Sequence, residues 1–279
     1  MAALVYSRRW EMPVTQQSLP PLDEPTPSPE PSIDFRKHLE EGIEITPAMM
    51  AELRECIPTV AGSRPHSSVI EMSYDNYHVF RLKNYPQIVF KMALYDGQNA
   101  HERFENMIKA TEVCFRHKLN RLIVPKAKKI EVSSEGRKYY LIAEQWIKLR
   151  YEDKPHILHP DRLKETTRQL AMFIANTGFY DVKPANIPIC DSDDYDWSIV
   201  LVDIETCRLD IKHITAGFVG TWNGSCGLLK CVSRDQIPVV QRIAQEAGAQ
   251  ITDGNLAYAY SKLDEDESYI ARKTEANRK

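Results

Sequence analysis

Two apolar runs in this chain end abruptly on a charge. Ile88-Val89-Phe90 leads into Lys91, and Ile199-Val200-Leu201-Val202 leads into Asp203. Short β-branched runs of this kind read as buried strands. A charge at the end of a buried strand is costly unless an opposite charge or a hydrogen-bonding group meets it. Lys91 must therefore find a partner, whereas Asp203 taken alone also suits a turn at the strand end. Between them stands Asp181-Val182-Lys183-Pro184-Ala185-Asn186-Ile187, directly after a helical stretch and before a further apolar segment. It adds an acid, a base and an amide within six positions.

The pattern changes character along the chain. Residues 13–35 are rich in proline, serine and acid and bury too little apolar surface to offset their ordering entropy, so a disordered tail over 1–40 is expected, free to meet a partner. Thr46 followed by Pro47 marks a helix start. Strands are expected at 68–73 and 77–82, around a turn at Tyr74-Asp75-Asn76, and at 87–94. Phe104, Ile108, Thr111 and Phe115 give residues 99–118 a helical stripe. Strands at 126–132 and 138–146 flank the turn sequence Ser133-Ser134-Glu135-Gly136. From there the pattern turns helical, with a helix from Pro160 to near Gly178 and others over 234–247 and 254–272. The expected fold class is α+β, with one part over 41–148 and a second, helical part over 149–279.

Taken together, these segments resemble the protein-kinase-like superfamily. D-V-K-P-A-N-I is similar to its catalytic loop, I-V-F-K to its nucleotide-binding lysine strand, and L-V-D-I-E, in its aspartate, to its metal-binding segment. The gaps of 181 − 91 = 90 and 203 − 181 = 22 residues suit that family, and the resemblance covers about 65–210. It implies a two-lobed fold, with an antiparallel sheet and one helix in the first lobe and a reduced helical second lobe. It further implies ATP and magnesium as cofactors and a hydroxyl acceptor on a protein Ser/Thr or a small molecule. Residue by residue, Lys91 would contact the α- and β-phosphates, paired with Glu105 or alternatively Glu102. Asp181 would orient the acceptor hydroxyl, and Lys183 would steady the transferred phosphoryl group. Asn186 and Asp203 would hold magnesium. The backbone of Glu144 and Trp146 would meet adenine, with Ala143 limiting the pocket.

The sequence departs from that pattern in four places. No glycine lies in 70–82, where glycines would let backbone amides approach the phosphates. Phe179-Tyr180 stand where His-Arg precede the catalytic aspartate. Ile204-Glu205 replace Phe-Gly, which is closer to small-molecule kinases of the choline-kinase and aminoglycoside-phosphotransferase type, and Glu205 would add a second carboxylate to the metal. Only 279 − 203 = 76 residues follow Asp203, little for a peptide-docking surface. The missing glycines also suit a pseudokinase, a binding module that keeps the fold without turnover.

Bulk properties narrow the other classes. A net charge of −3 with dispersed basic residues argues against nucleic acid and against a polybasic membrane anchor. No apolar run has the length of a membrane span or signal segment, so a cytoplasmic location is expected. The six cysteines show no C-x-x-C spacing and read as reduced thiols rather than a zinc site built on Cys207, Cys226 and Cys231. Asp191–Asp196 resembles the start of a calcium loop but lacks its glycine and terminal glutamate, and reads as a solvated turn.

Overall fold

The computed structural model describes residues 33–73, 77–93, 97–150, 152–195, 197–204, 206–221 and 226–277. The bulk of the expected tail, the turn at 74–76 and Glu205 lie outside the described residues. Residues 34–279 form one compact unit. The fold class is α+β, as expected.

The chain enters through α1 (Phe35–Glu40), capped by the Asp34 side chain, which accepts from the Lys37 N–H. This corrects the expected tail, which ran to residue 40: Leu39 of α1 is buried in the core. Helix α2 (Pro47–Ala61) starts where the sequence signals it, with Thr46 Oγ1 accepting from the Met49 N–H and Pro47 in the first turn. Strands β1 (Val69–Ser73), β2 (Tyr77–Leu82) and β3 (Tyr85–Ala93) follow, then α3 (Gly97–Arg116), the short β4 (Leu122–Ile123), β5 (Ala127–Ser134) and β6 (Arg137–Gln145). Five of these strands form one sheet in the order β1-β2-β3-β6-β5, antiparallel throughout.

The sheet has two unlike faces. In the β3–β6 register Phe90 lies opposite Ala143 and Lys91 opposite Ile142. Because side chains alternate with period two, Ile88, Phe90, Met92, Leu141 and Ala143 share one face, where they pack with Met49, Leu53, Cys56, Ile57 and Val60 of α2. Lys91, Ile142 and Glu144 share the other face, and α3 packs there.

The second half contains β7 (Leu149–Arg150), α4 (Pro155–Leu158), α5 (Pro160–Thr177), β8 (Ile189–Cys190), β9 (Ile199–Val200), α6 (Ile211–Val219), α7 (Ile237–Glu246) and α8 (Asp253–Ala276). Gly178 ends α5 at φ +65, and a Cβ there would lie 1.8 Å from the Arg208 carbonyl oxygen, so the stop requires glycine. Strands β4, β9, β8 and β7 form a small second sheet in that order, with β4 and β9 parallel. The sequence reading anticipates neither this sheet pairing nor α1, α4 and α6. The larger core joins Phe104 and Met107 of α3 and Ile142 of β6 to Leu170, Phe173 and Ile174 of α5. That core therefore runs across the expected boundary at 148. Among the described residues no helix is long and apolar enough to cross a membrane.

Candidate functional site

The charged ends of the two apolar runs meet. Lys91 Nζ lies 2.7 Å from Glu144 Oε2 and donates a short hydrogen bond to the carbonyl oxygen of Val202, the residue before Asp203. The lysine and glutamate side chains are only 10% and 5% exposed. Register explains the pairing: Val89, two residues before Lys91, lies opposite Glu144, so the two charges are diagonal neighbours on one face. Burial, foremost, and the Arg103 guanidinium next pull the Lys91 pKa below its ordinary value, against the opposing pull of Glu144.

Helix α3 contributes a cation to this cluster. Arg103 is 2% exposed. Its Nη1 lies 2.8 Å from Asp203 Oδ1, and its Nη2 donates to the Val202 carbonyl at 2.9 Å. Its Nε lies 3.3 Å from Glu144 Oε1, close enough for ionic attraction but not aligned as a hydrogen bond. One helix side chain thus ties the sheet carboxylate to the carboxylate after β9.

The Asp181 loop is held separately. Asn186 Nδ2 donates both to the Asp181 backbone carbonyl, at 2.9 Å, and to its Oδ2, at 2.8 Å. Lys183 Nζ donates to the same Oδ2 at 2.9 Å. Two backbone links carry this loop to the Asp203 segment. Phe179 and Cys207 form an antiparallel bridge, and the Val202 N–H donates to the Asn186 carbonyl at 3.3 Å. A third link, from the Gly227 N–H to the Val182 carbonyl at 3.0 Å, fixes the loop's other side. Beyond it, Cys226 and Cys231 are neighbours whose thiols titrate together: the Cys231 thiol draws the Cys226 pKa below its ordinary value, and the Cys226 thiol with burial pushes Cys231 well above its own. The Cys207 thiol is pushed up to about 12, chiefly by burial.

Several expected residues sit elsewhere. Glu105 pairs with Arg36 on an exposed surface rather than with Lys91. The partner of Lys91 comes from β6, because α3 turns Arg103 inward and leaves Glu102 exposed. Glu144, expected to meet adenine through its backbone, pairs its carboxylate with Lys91. The Trp146 N–H, expected to meet adenine, donates to the Gln87 carbonyl at 2.8 Å and continues the sheet ladder. Its ring lies 4.8 Å beneath the Arg81 guanidinium. Ala143, expected to limit a pocket beside Lys91, is buried against α2 on the opposite face, and Ile142 occupies the Lys91 side. Lys91, Asp181, Lys183, Asn186 and Asp203 lie in segments joined by the bonds above.

The donor set offers little to a magnesium ion as arranged. Asp203 Oδ1 is engaged by a guanidinium, and Asp181 Oδ2 by an ammonium and an amide. Among the described residues no group of three or more His, Cys, Asp and Glu side chains could hold a metal. Arg103 is the residue that sequence reasoning misses. Its signal is phase: Ala100, Arg103, Phe104, Asn106, Met107, Ala110 and Thr111 are the buried positions of α3 among the described residues, and Arg103 falls three after Ala100 and four before Met107. No protein-family model matches this chain, and no curated protein matches it.

Proposed function

We propose that the chain is a protein-kinase-like domain that binds a nucleoside triphosphate beside Lys91 and transfers its γ-phosphoryl group to a hydroxyl. The observation that carries this reading is the meeting of the two charged strand ends. A buried lysine on β3 is joined through the Val202 carbonyl to the segment that bears Asp203, beside a loop in which Asn186 clamps Asp181. An antiparallel sheet with one helix between its third and fourth long strands, followed by helices, also suits the two-lobed architecture that the resemblance implies.

Each residue has a chemical task in this reading. Lys91 supplies a positive charge to the α- and β-phosphates. Asp181, whose Oδ2 is occupied by Lys183 and Asn186, keeps Oδ1 for the proton of an incoming hydroxyl. Lys183 is 39% exposed in its side chain and can swing from Asp181 to the transferred group. Phosphoryl transfer asks chiefly for such positioning and charge placement. The guanidinium on Asp203 Oδ1 already occupies one of the carboxylate oxygens that a magnesium ion would use. The acceptor is a protein Ser/Thr hydroxyl or a small-molecule alcohol. A second reading, a nucleotide-binding module without turnover, is favoured by the guanidinium that already occupies Asp203.

Thermal unfolding with ATP tests the shared premise. At about 100 times Kd the nucleotide adds about 2.7 kcal/mol, a rise of roughly 5–10 °C in a domain of this size. Lys91→Met should abolish that rise. Absence of any rise at millimolar ATP, with and without magnesium, removes the nucleotide site. Transfer of labelled γ-phosphate to alcohols or Ser/Thr proteins, lost in Asp181→Asn, then separates the enzyme from the binding module.

A further inference from the structure

Arg103 occupies an unusual position for a cation. It is almost fully buried, and its contacts include two carboxylates and a backbone carbonyl, all within the site proposed for the nucleotide. An arginine cannot shed its charge as a buried lysine can, so this positive charge is permanent. Its task cannot be to balance Glu144 alone, because Lys91 already lies 2.7 Å from that carboxylate. Arg103 lies closer to Asp203, at 2.8 Å, than to Glu144, at 3.3 Å.

A carboxylate beside nucleotide phosphates poses an electrostatic problem, since both are anionic. A divalent ion is one remedy, bridging the two with oxygen ligands. A fixed guanidinium on the carboxylate is another, since it neutralises the acid before any nucleotide arrives. The two remedies compete here. A divalent ion bound by Asp203 Oδ1 would sit within a few ångströms of a guanidinium. Arg103 would not be free to withdraw. Its Nη2 is anchored to the Val202 carbonyl at 2.9 Å, and its aliphatic stem leaves α3 between buried Ala100 and Met107.

We propose that Arg103 takes the place of a metal ion at Asp203, so that the protein holds its nucleoside triphosphate without a divalent cation. This rests on the nucleotide reading given above and specifies its electrostatics. Arg103 neutralises Asp203, and Lys91 and Lys183 are left to face the phosphates. The guanidinium also fixes the Asp203 segment to α3, so the site is assembled before ligand binds and needs no ion to assemble it.

The test is ATP binding to the full chain, followed by calorimetry and by thermal unfolding, in excess EDTA and again in millimolar magnesium. Direct metal binding is followed by the electron paramagnetic resonance of Mn²⁺ with and without ATP. The expected result is equal ATP affinity in EDTA and in magnesium, with no Mn²⁺ signal beyond that of the free metal–nucleotide complex. Arg103→Gln should weaken metal-free binding about tenfold or more, the loss expected of a charge-assisted contact. It should also create a dependence on magnesium, as Asp203 is uncovered, while Arg103→Lys keeps part of the metal-free binding. ATP binding that appears only with magnesium, or a protein-bound Mn²⁺ signal in the wild type, overturns this inference and leaves the nucleotide site standing. ATP binding in neither condition overturns the nucleotide reading and this inference together. The wild-type measurements stand even if neither variant folds.

Discussion

The two faces of strands β3 and β6 are built from the same alternating sequence, yet they do different work. On one, Phe90 and Met92 meet Leu141 and Ala143 under α2, in a purely apolar core. On the other, one residue out of phase, Lys91 meets Glu144, and Arg103 reaches across from α3. The apolar face is stabilised by area removed from water, where any well-fitting hydrocarbon serves. The charged face is stabilised only as a set, because each charge is tolerated for the sake of its partners. Two residues side by side in a strand thus obey different rules of substitution.

The largest expected effect comes from breaking the charged set. Glu144→Ala leaves Lys91 and Arg103 without their shared carboxylate and should cost about 3–5 kcal/mol in urea unfolding. Replacing both members, Lys91→Met with Glu144→Leu, should recover most of that stability, since a buried pair exchanged for hydrocarbon is often nearly neutral. It should nevertheless abolish the ATP response. On the apolar face Phe90→Ala should cost a similar 3–5 kcal/mol through the cavity it leaves, while the folded fraction still responds to ATP. If Phe90→Ala removes the response and the double variant retains it, the division of labour between the faces is wrong.

A buried base on the helical side sharpens the comparison. His156 in α4 is buried, and its Nε2 stands 3.9 Å from Asp266 Oδ2 without a hydrogen bond among the described residues. Burial lowers its pKa to about 4, against a smaller opposing pull from Asp266. Unlike Lys91, it has no close partner to support its charge. The folded value lies below the ordinary 6.5, so the unfolded chain takes up the proton first as the pH falls. Stability contributed by the neutral ring is present above about 6.5 and is lost progressively down to about 4, a total on the order of 3 kcal/mol. Urea midpoints across this range should fall for the wild type and flatten for His156→Gln. An unchanged slope would show that the imidazole does not govern this part of the acid response.

Much of this arrangement is legible in the sequence, in proportion to how local its cause is. The start of α2 and the stop of α5 are fixed by Thr46, Pro47 and Gly178, residues whose effect is confined to one turn. The sheet strands show in their alternation, and the Asp181 clamp joins residues five apart. What stays hidden depends on phase or register. The stripe Phe104, Ile108, Thr111 and Phe115 puts the face of α3 slightly off, and Phe115 is exposed while Ala100, Arg103 and Met107 are buried. The resemblance asks for a glutamate on this helix, Glu105 or Glu102, and so passes over the buried Arg103. On β6 the resemblance places Ala143 at the pocket, whereas Ile142 lies on the Lys91 face, and one residue along a strand exchanges its faces. The parallel pairing of β4 with β9 joins residues whose partnership no local signal announces.

The smallest expected effect tests the choice of glutamate on α3 directly. Glu105 and Glu144 are both acids within the expected kinase-like pattern, and only one of them can be the partner of Lys91. Glu105 pairs with Arg36 where the two side chains are 34% and 47% exposed. Water and salt screen such a pair, so Glu105→Ala should cost no more than about 1 kcal/mol, and raising the ionic strength should shrink even that. ATP binding should be unchanged, because Lys91 keeps Glu144 and Arg103 keeps Asp203. A large loss of ATP response in Glu105→Ala would mean that α3 turns in the bound state to bring its glutamate inward and Arg103 out. The charged face would then be one of two arrangements of the same helix, and Arg103 the residue that marks which of them is populated.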